Sequence, residues 1–221
     1  PKLSKQPINT DIYNIMQNFI IEFNILDENN KKINTFNLEN FEQNIARKYI
    51  NKNDSVLELG GRYGSVSCII NSKLKNKYNH VVVEPDKRIW NSLEKNKINN
   101  NCKFHIVKGF ISKQKLNLTN TEYYYNGYAS TQIIDNNSDI DSFSLESIIK
   151  KYNIKFNVLF ADCEGCIELF VKENLSFIKN LRMIVYEKDY IEKTNYKFIQ
   201  DVLKKFNFKH ILSGFQNVWI K

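Results

Sequence analysis

The chain has 221 residues, 42% hydrophobic and 25% charged, a composition that fits one folded domain with at most a small extension and excludes a disordered tail. No apolar run approaches the ~20 residues that span a bilayer and no signal-peptide core opens the chain, so neither a membrane span nor secretion is expected, and a cytoplasmic location is. The formal charge of +8 raises the prospect of an anionic partner, but the excess is lysine scattered throughout, with arginine only at Arg47, Arg62, Arg88 and Arg182, so coding bias accounts for more of it than a phosphate-binding surface does.

Residues rich in β-formers at 19–25 and 33–36 flank Asp27-Glu28-Asn29-Asn30, which predicts an N-terminal β-hairpin. Phe41, Ile45, Tyr49 and Ile50 recur at helical spacing, predicting a helix over 40–50 with Asn40 as its cap. Residues 1–50 thus read as an extension ahead of a domain over 51–221. From residue 55 strands and helices alternate: strand 55–59, helix 65–74, strand 80–83, helix 87–98 with Ile89, Trp90, Leu93 and Ile98 on one face, and strand 103–107. A polar stretch over 112–142, containing Tyr123-Tyr124-Tyr125 and Tyr128, is too long for a plain connector and reads as a substrate loop. Helix 145–152, strand 156–161, helical structure over 167–179, strand 181–186, helix 196–206 and strands 209–212 and 217–220 follow, with Gly214 at the turn between the last two. This order predicts an α/β fold with a mostly parallel seven-stranded sheet and a C-terminal antiparallel hairpin, the Rossmann-like fold of class I methyltransferases, with ligands at the carboxyl ends of the strands.

After the first strand stands Glu58-Leu59-Gly60-Gly61-Arg62-Tyr63-Gly64. Glycines there let backbone approach a nucleotide-like ligand. A dinucleotide fingerprint needs G-x-G-x-x-G, and from Gly60 the required positions hold Arg62 and Ser65, so that reading fails on spacing. What remains is acidic-x-Gly-x-x-x-Gly. An acidic residue beside the turn would repel a pyrophosphate and suit the ammonium of S-adenosylmethionine, the expected cofactor. Glu84, 20 residues past Gly64, closes the second strand at the offset where a carboxylate accepts ribose hydroxyls. Gly109 and Phe110 would border the adenine, although Phe110 reads equally well as core. The expected cofactor-binding set is Glu58, Gly60, Gly61, Tyr63, Gly64, Glu84, Gly109, Phe110 and Asp162.

Phe143-Ser144-Leu145-Glu146-Ser147-Ile148-Ile149 and Val158-Leu159-Phe160-Ala161-Asp162-Cys163-Glu164-Gly165, with Glu58-x-Gly60, Val83-Glu84-Pro85 and Glu187, resemble the FkbM family of methyltransferases over about 53–189. The resemblance implies methyl transfer from S-adenosylmethionine to an oxygen, often a sugar or polyketide hydroxyl. Two positions depart from the family: Phe160 stands where it has lysine, and Ile167, followed by Glu168, where it often has glutamate. Methyl transfer is an in-line displacement that needs positioning and a base for the hydroxyl proton, not a covalent nucleophile. Asp162 is the leading catalytic candidate, with Glu164 and Glu187 beside it. Asp162, Glu187 and Asp189 could instead ligate a divalent cation, but metal-free transfer is preferred; solvated loop charge is the plain alternative for Glu187 and Asp189.

Four cysteines do not suggest a disulfide framework; Cys68 and Cys102 read as small core residues. Cys163-Glu164-Gly165-Cys166 has the spacing of a redox dithiol, but Asp162 and Glu164 would suppress the thiolate, and no second pair completes a zinc site. The expected acceptor is a small molecule or sugar, including a nucleotide sugar or glycan. The alternatives are RNA binding or methylation, with the tyrosines stacking bases, or an inactive methyltransferase-like binding module.

Overall fold

The computed structural model describes residues 23–34, 39–119 and 130–221. Helix α1 (Asn40–Tyr49) precedes β1 (Val56–Leu59), α2 (Ser65–Lys73), β2 (His80–Glu84), α3 (Trp90–Asn99) and β3 (His105–Lys108). Short strands β4 (Phe110–Ile111), β5 (Leu116–Leu118), β6 (Gln132–Ile134) and β7 (Ser142–Phe143) come next. Then follow α4 (Leu145–Tyr152), β8 (Val158–Ala161), α5 (Ile167–Glu173), α6 (Leu175–Asn180), β9 (Met183–Glu187), α7 (Tyr196–Lys205), β10 (Lys209–Leu212) and β11 (Gln216–Ile220).

Seven of these strands form one sheet in the order β10-β11-β9-β8-β1-β2-β3. All neighbours are parallel except β11, which lies antiparallel to both β9 and β10. This is the expected sheet with its C-terminal hairpin. Strand residues alternate between two cores because successive side chains leave opposite faces. Leu57, Leu159, Ile184 and Tyr186 join one core with residues of α4, α5, α6 and α7. Val56, Val158, Phe160 and Val185 join the other with Ile45 and Ala46 of α1 and Ile69 and Ile70 of α2. A third cluster wedges Tyr63, Cys68, Leu93 and Phe104 between α2, α3 and the sheet edge.

Several boundaries and faces differ from expectation. Glu39 occupies the N-cap position of α1 without a side-chain cap bond, whereas Asn40 Oδ1 accepts from Asn44 Nδ2 at 2.9 Å. Phe41 is 76% exposed and Ile98 73%, because the buried stripe of α1 is Glu42, Gln43, Ile45 and Ala46 and that of α3 is Ser92, Leu93 and Asn96. Within the 112–142 stretch β5 pairs antiparallel with β6, and at its end β7 pairs in parallel with β4, which lies just ahead of it; its tyrosines lie outside the described residues. Of the N-terminal hairpin, 19–22 and 35–36 lie outside the described residues, and what is described is a tight turn with one antiparallel bridge, Leu26 to Lys32. Asn96 fixes that turn to α3, accepting from Leu26 N at 3.0 Å and donating to Leu26 O at 2.8 Å.

The entry to β1 is held by a buried ion pair. Arg182 Nε donates to Asp54 Oδ1 at 2.6 Å, and its second arm reaches both Asp54 Oδ2 and, at 3.1 Å, the carbonyl of Tyr49. Asp54 is 3% exposed, so Arg182→Ala would leave a buried carboxylate short of its charge partner. We expect a loss of about 3 kcal/mol in urea unfolding, the low end for breaking a buried pair because Arg182 is partly solvated; a loss under about 0.5 kcal/mol would show that the other donors to Asp54, Asn157 Nδ2 at 3.1 Å and Asn51 N at 2.7 Å, suffice.

Candidate functional site

An open cleft of about 1060 Å³ lies at the carboxyl ends of β1, β2 and β8. The turn after β1 forms one wall. Gly60 and Gly61 both donate to the carbonyl of Val83, at 3.0 and 3.2 Å, which ties the turn to the end of β2. Gly60 has φ +87°, and a Cβ there would stand 1.7 Å from the carbonyl oxygen of Asp162. Only glycine lets the β1 turn close on the end of β8. Gly64, at φ 86°, caps α2.

Of the residues expected from sequence, Glu58, Gly60, Gly61, Glu84, Phe110, Asp162 and Glu164 line the cleft. Tyr63, Gly64, Gly109 and Glu187 do not line it. Tyr63 points into the core, 3% exposed, and its hydroxyl donates to the carboxylate of Glu28, so it docks the N-terminal turn onto the glycine loop. Gly64 shapes the turn. Gly109 is glycine because a Cβ would stand 2.3 Å from the carbonyl oxygen of Asp141. Phe110 is both core, packed with Leu116 and Ile140, and wall.

Glu58 already has partners: Ser67 Oγ donates to its Oε1 at 2.9 Å and His80 Nε2 lies 2.8 Å from its Oε2. Both of its oxygens are therefore already engaged beneath the turn. Glu84 accepts from Arg62 N at 2.6 Å and Asp86 N at 2.7 Å, each oxygen keeping a second lone pair. Burial pushes its carboxyl up to about 7. Asp86, 4% exposed, is held by Arg88 through Nε and Nη2.

Sequence reasoning missed an acidic floor. Glu39 lines the cleft, and burial, then the charges of Asp162, Glu42 and Glu58, push it up to about 8. Glu42 is 7% exposed, is raised chiefly by burial and accepts from Gln216 Nε2. Burial, then a hydrogen bond to Asp162 and its charge, push Glu187 up to about 11. Burial, then a hydrogen bond to Asp189 and its charge, push Glu164 up to about 9. The one available signal was the i, i+3 spacing of Glu39 and Glu42, which puts two carboxylates on one helical face.

Oxygens of Glu42, Asp162 and Glu187 lie within 4.8 Å of one another, the group among the described residues that could hold a metal ion. Asp189, expected as a ligand, is not in it: Tyr196 Oη donates to Asp189 Oδ1 at 2.7 Å. The cysteine expectation also needs correction, since Cys163 and Cys166 are joined by a disulfide and both line the cleft. Cys68 and Cys102 are free and buried, as expected.

The raised carboxyls fix a pH dependence. A group whose folded pKa lies above its unfolded value binds protons more tightly in the folded state, so stability falls as pH rises from the unfolded value through the folded one. For Glu39, Glu84, Glu164 and Glu187 that window runs from 4.5 upwards to the values above. The melting temperature is therefore expected to fall between pH 6 and pH 9 in thermal unfolding by circular dichroism; a rise over that interval would contradict the acidic floor.

No family model matches the chain, and no curated protein does. Among solved structures, a precorrin-6y C5,15-methyltransferase from Geobacter metallireducens GS-15 superposes with a TM-score of 0.52 at 9% identity, covering 90% of this chain and 92% of that one. A protein of the NADB-Rossmann superfamily from Streptococcus agalactiae superposes with a TM-score of 0.50 at 9% identity, covering 81% of this chain and 66% of that one. With the strand order, these matches identify a Rossmann-like α/β fold. Among the described residues no helix is long and apolar enough to cross a membrane.

Proposed function

We propose that the chain is an S-adenosylmethionine-dependent methyltransferase, O-directed, acting in the cytoplasm on a hydroxyl of a sugar or small molecule, and that it is a divergent relative of the FkbM family. The observation that carries this reading is the closure of the Gly60 turn on the Asp162 carbonyl, with the Glu84 carboxylate on the same wall of one cleft. The residues present fit the cofactor. Glu84 suits a ribose diol, and Phe110, Ile111 and Val83 an adenine. When bound, S-adenosylmethionine supplies an electrophilic methyl group.

The chain's own groups do the rest. Glu187 keeps its proton at neutral pH and donates to Asp162, leaving Asp162 an acceptor at the end of β8. There it takes the proton of an acceptor hydroxyl. Glu39, Glu164 and Phe160, all lining the cleft, set the acceptor's surroundings, with Phe160 adding an apolar surface where the family has a charge.

Arg62 is the one cation lining the cleft among the described residues, so uncharged acceptors are favoured over nucleotide sugars and RNA. The test is methyl transfer from labelled cofactor onto free sugars, glycans, nucleotide sugars and RNA, each with EDTA and with added Mg²⁺. Label on a neutral hydroxyl acceptor, at least about tenfold above RNA, supports the reading. RNA as the preferred acceptor would overturn it, and label on none would favour a binding module. Activity that EDTA removes and Mg²⁺ restores would assign a cation to Glu42, Asp162 and Glu187.

A further inference from the structure

We propose that the Cys163–Cys166 disulfide is a reversible redox latch whose closed form holds the cleft ready for its ligand and whose reduction weakens binding. The proposal rests on the cleft being the cofactor site. Four observations point to it.

The bridge spans a separation of three residues, and so short a loop removes little entropy from the unfolded chain, which argues against a purely stabilising role. Both cysteines are half-buried and line the cleft, so a reductant entering the cleft meets the bridge. Inside the bridge two successive residues are left-handed, Glu164 at φ 53° and Gly165 at φ 85°, and for glutamate that is an uncommon conformation that surroundings must impose. The bridge also adjoins Asp162, whose carbonyl oxygen leaves no space for a side chain at Gly60. Opening it frees Glu164 to leave its left-handed conformation and loosens the contact between the β8 end and the glycine turn. A preorganised wall becomes one that must be ordered on binding.

The chemistry is dithiol exchange. A reductant thiolate attacks one sulfur of the bridge, the S–S bond breaks, and the departing cysteine takes a proton while a mixed disulfide forms. The second thiol of the reductant resolves that intermediate. Two electrons and two protons pass to the protein, which gains two thiols, and the reductant becomes a disulfide. A small-molecule or protein disulfide reverses the exchange.

The test uses the intact protein with and without dithiothreitol. Alkylation and mass spectrometry read the state of Cys163 and Cys166, amide hydrogen exchange reads 60–64 and 162–166, and calorimetry reads S-adenosylmethionine binding. Reduction is expected to make both cysteines alkylatable in the folded protein, to speed exchange in both segments, and to weaken binding by at least about tenfold. The Cys163→Ser/Cys166→Ser variant should match the reduced protein and ignore dithiothreitol. Thiols found free without reductant, unchanged exchange on reduction, or equal affinity in both states would overturn the latch. If the cofactor bound in neither state, the cofactor reading would fall and the exchange data alone would decide the latch.

Discussion

Gly60→Ala is expected to abolish measurable binding of S-adenosylmethionine, with the dissociation constant raised at least about 100-fold, or ~2.7 kcal/mol, and to lower the melting temperature. Two costs coincide at this position. The backbone is left-handed, at φ +87°, which costs a residue with a Cβ about 1–2 kcal/mol. The new methyl would also stand 1.7 Å from the Asp162 carbonyl oxygen, and a backbone oxygen at the end of a central strand cannot swing aside as a side chain can. The turn must back away from β8, which disrupts the wall between them. Gly214→Ala is the control: its nearest neighbour would be the Gln216 carbonyl oxygen at 3.8 Å, and a change within about 0.5 kcal/mol is expected. Near-ultraviolet circular dichroism separates a folded Gly60→Ala protein that fails to bind from a chain that fails to fold. A variant that binds and melts like the wild type would remove the steric basis of the site.

Asp162→Asn should lower kcat about 10²- to 10³-fold, within the range for losing a general base, while cofactor affinity changes by less than about threefold. The amide keeps the size of the carboxylate and the strand's packing, but it accepts no proton from the hydroxyl. It also removes the charge that helps raise Glu187, so the pKa of Glu187 should drop, visible by NMR titration of its side chain. Full activity in Asp162→Asn would exclude the assigned role, whereas a shifted Glu187 with unchanged turnover would leave Asp162 a structural neighbour only.

Much of the fold was legible because it rests on local pattern. Runs such as Val81-Val82-Val83, buried on both faces, read as central strands, and the glycine turn and Glu84 follow from offsets along the chain. What escaped depended on tertiary placement. Glu39 and Glu42 look like ordinary polar helix residues until α1 packs beside the strand ends. Tyr63 lies inside the glycine segment yet turns to Glu28, because its ring fills the gap between α2 and α3. The bridge was not expected because cysteine number and the absence of a secretion signal argue only about disulfide frameworks, and neither reports the Cα separation of 5.4 Å between Cys163 and Cys166. Net charge pointed towards anions, while the cleft gathers carboxyl groups and, among the described residues, Arg62 as its one cation; a sum over the whole surface does not report what lines one concavity.

The bond from Gln216 to Glu42 joins residues 174 positions apart. Gln216 opens β11, which pairs with β9 on one side and β10 on the other, so β10 joins the sheet only through it. The acidic face of α1 therefore gains this bond only through a contact of high sequence separation, which costs loop-closure entropy before it forms. A chain ending before residue 216 would therefore carry the glycine turn and Glu84 but lack the bond that holds Glu42.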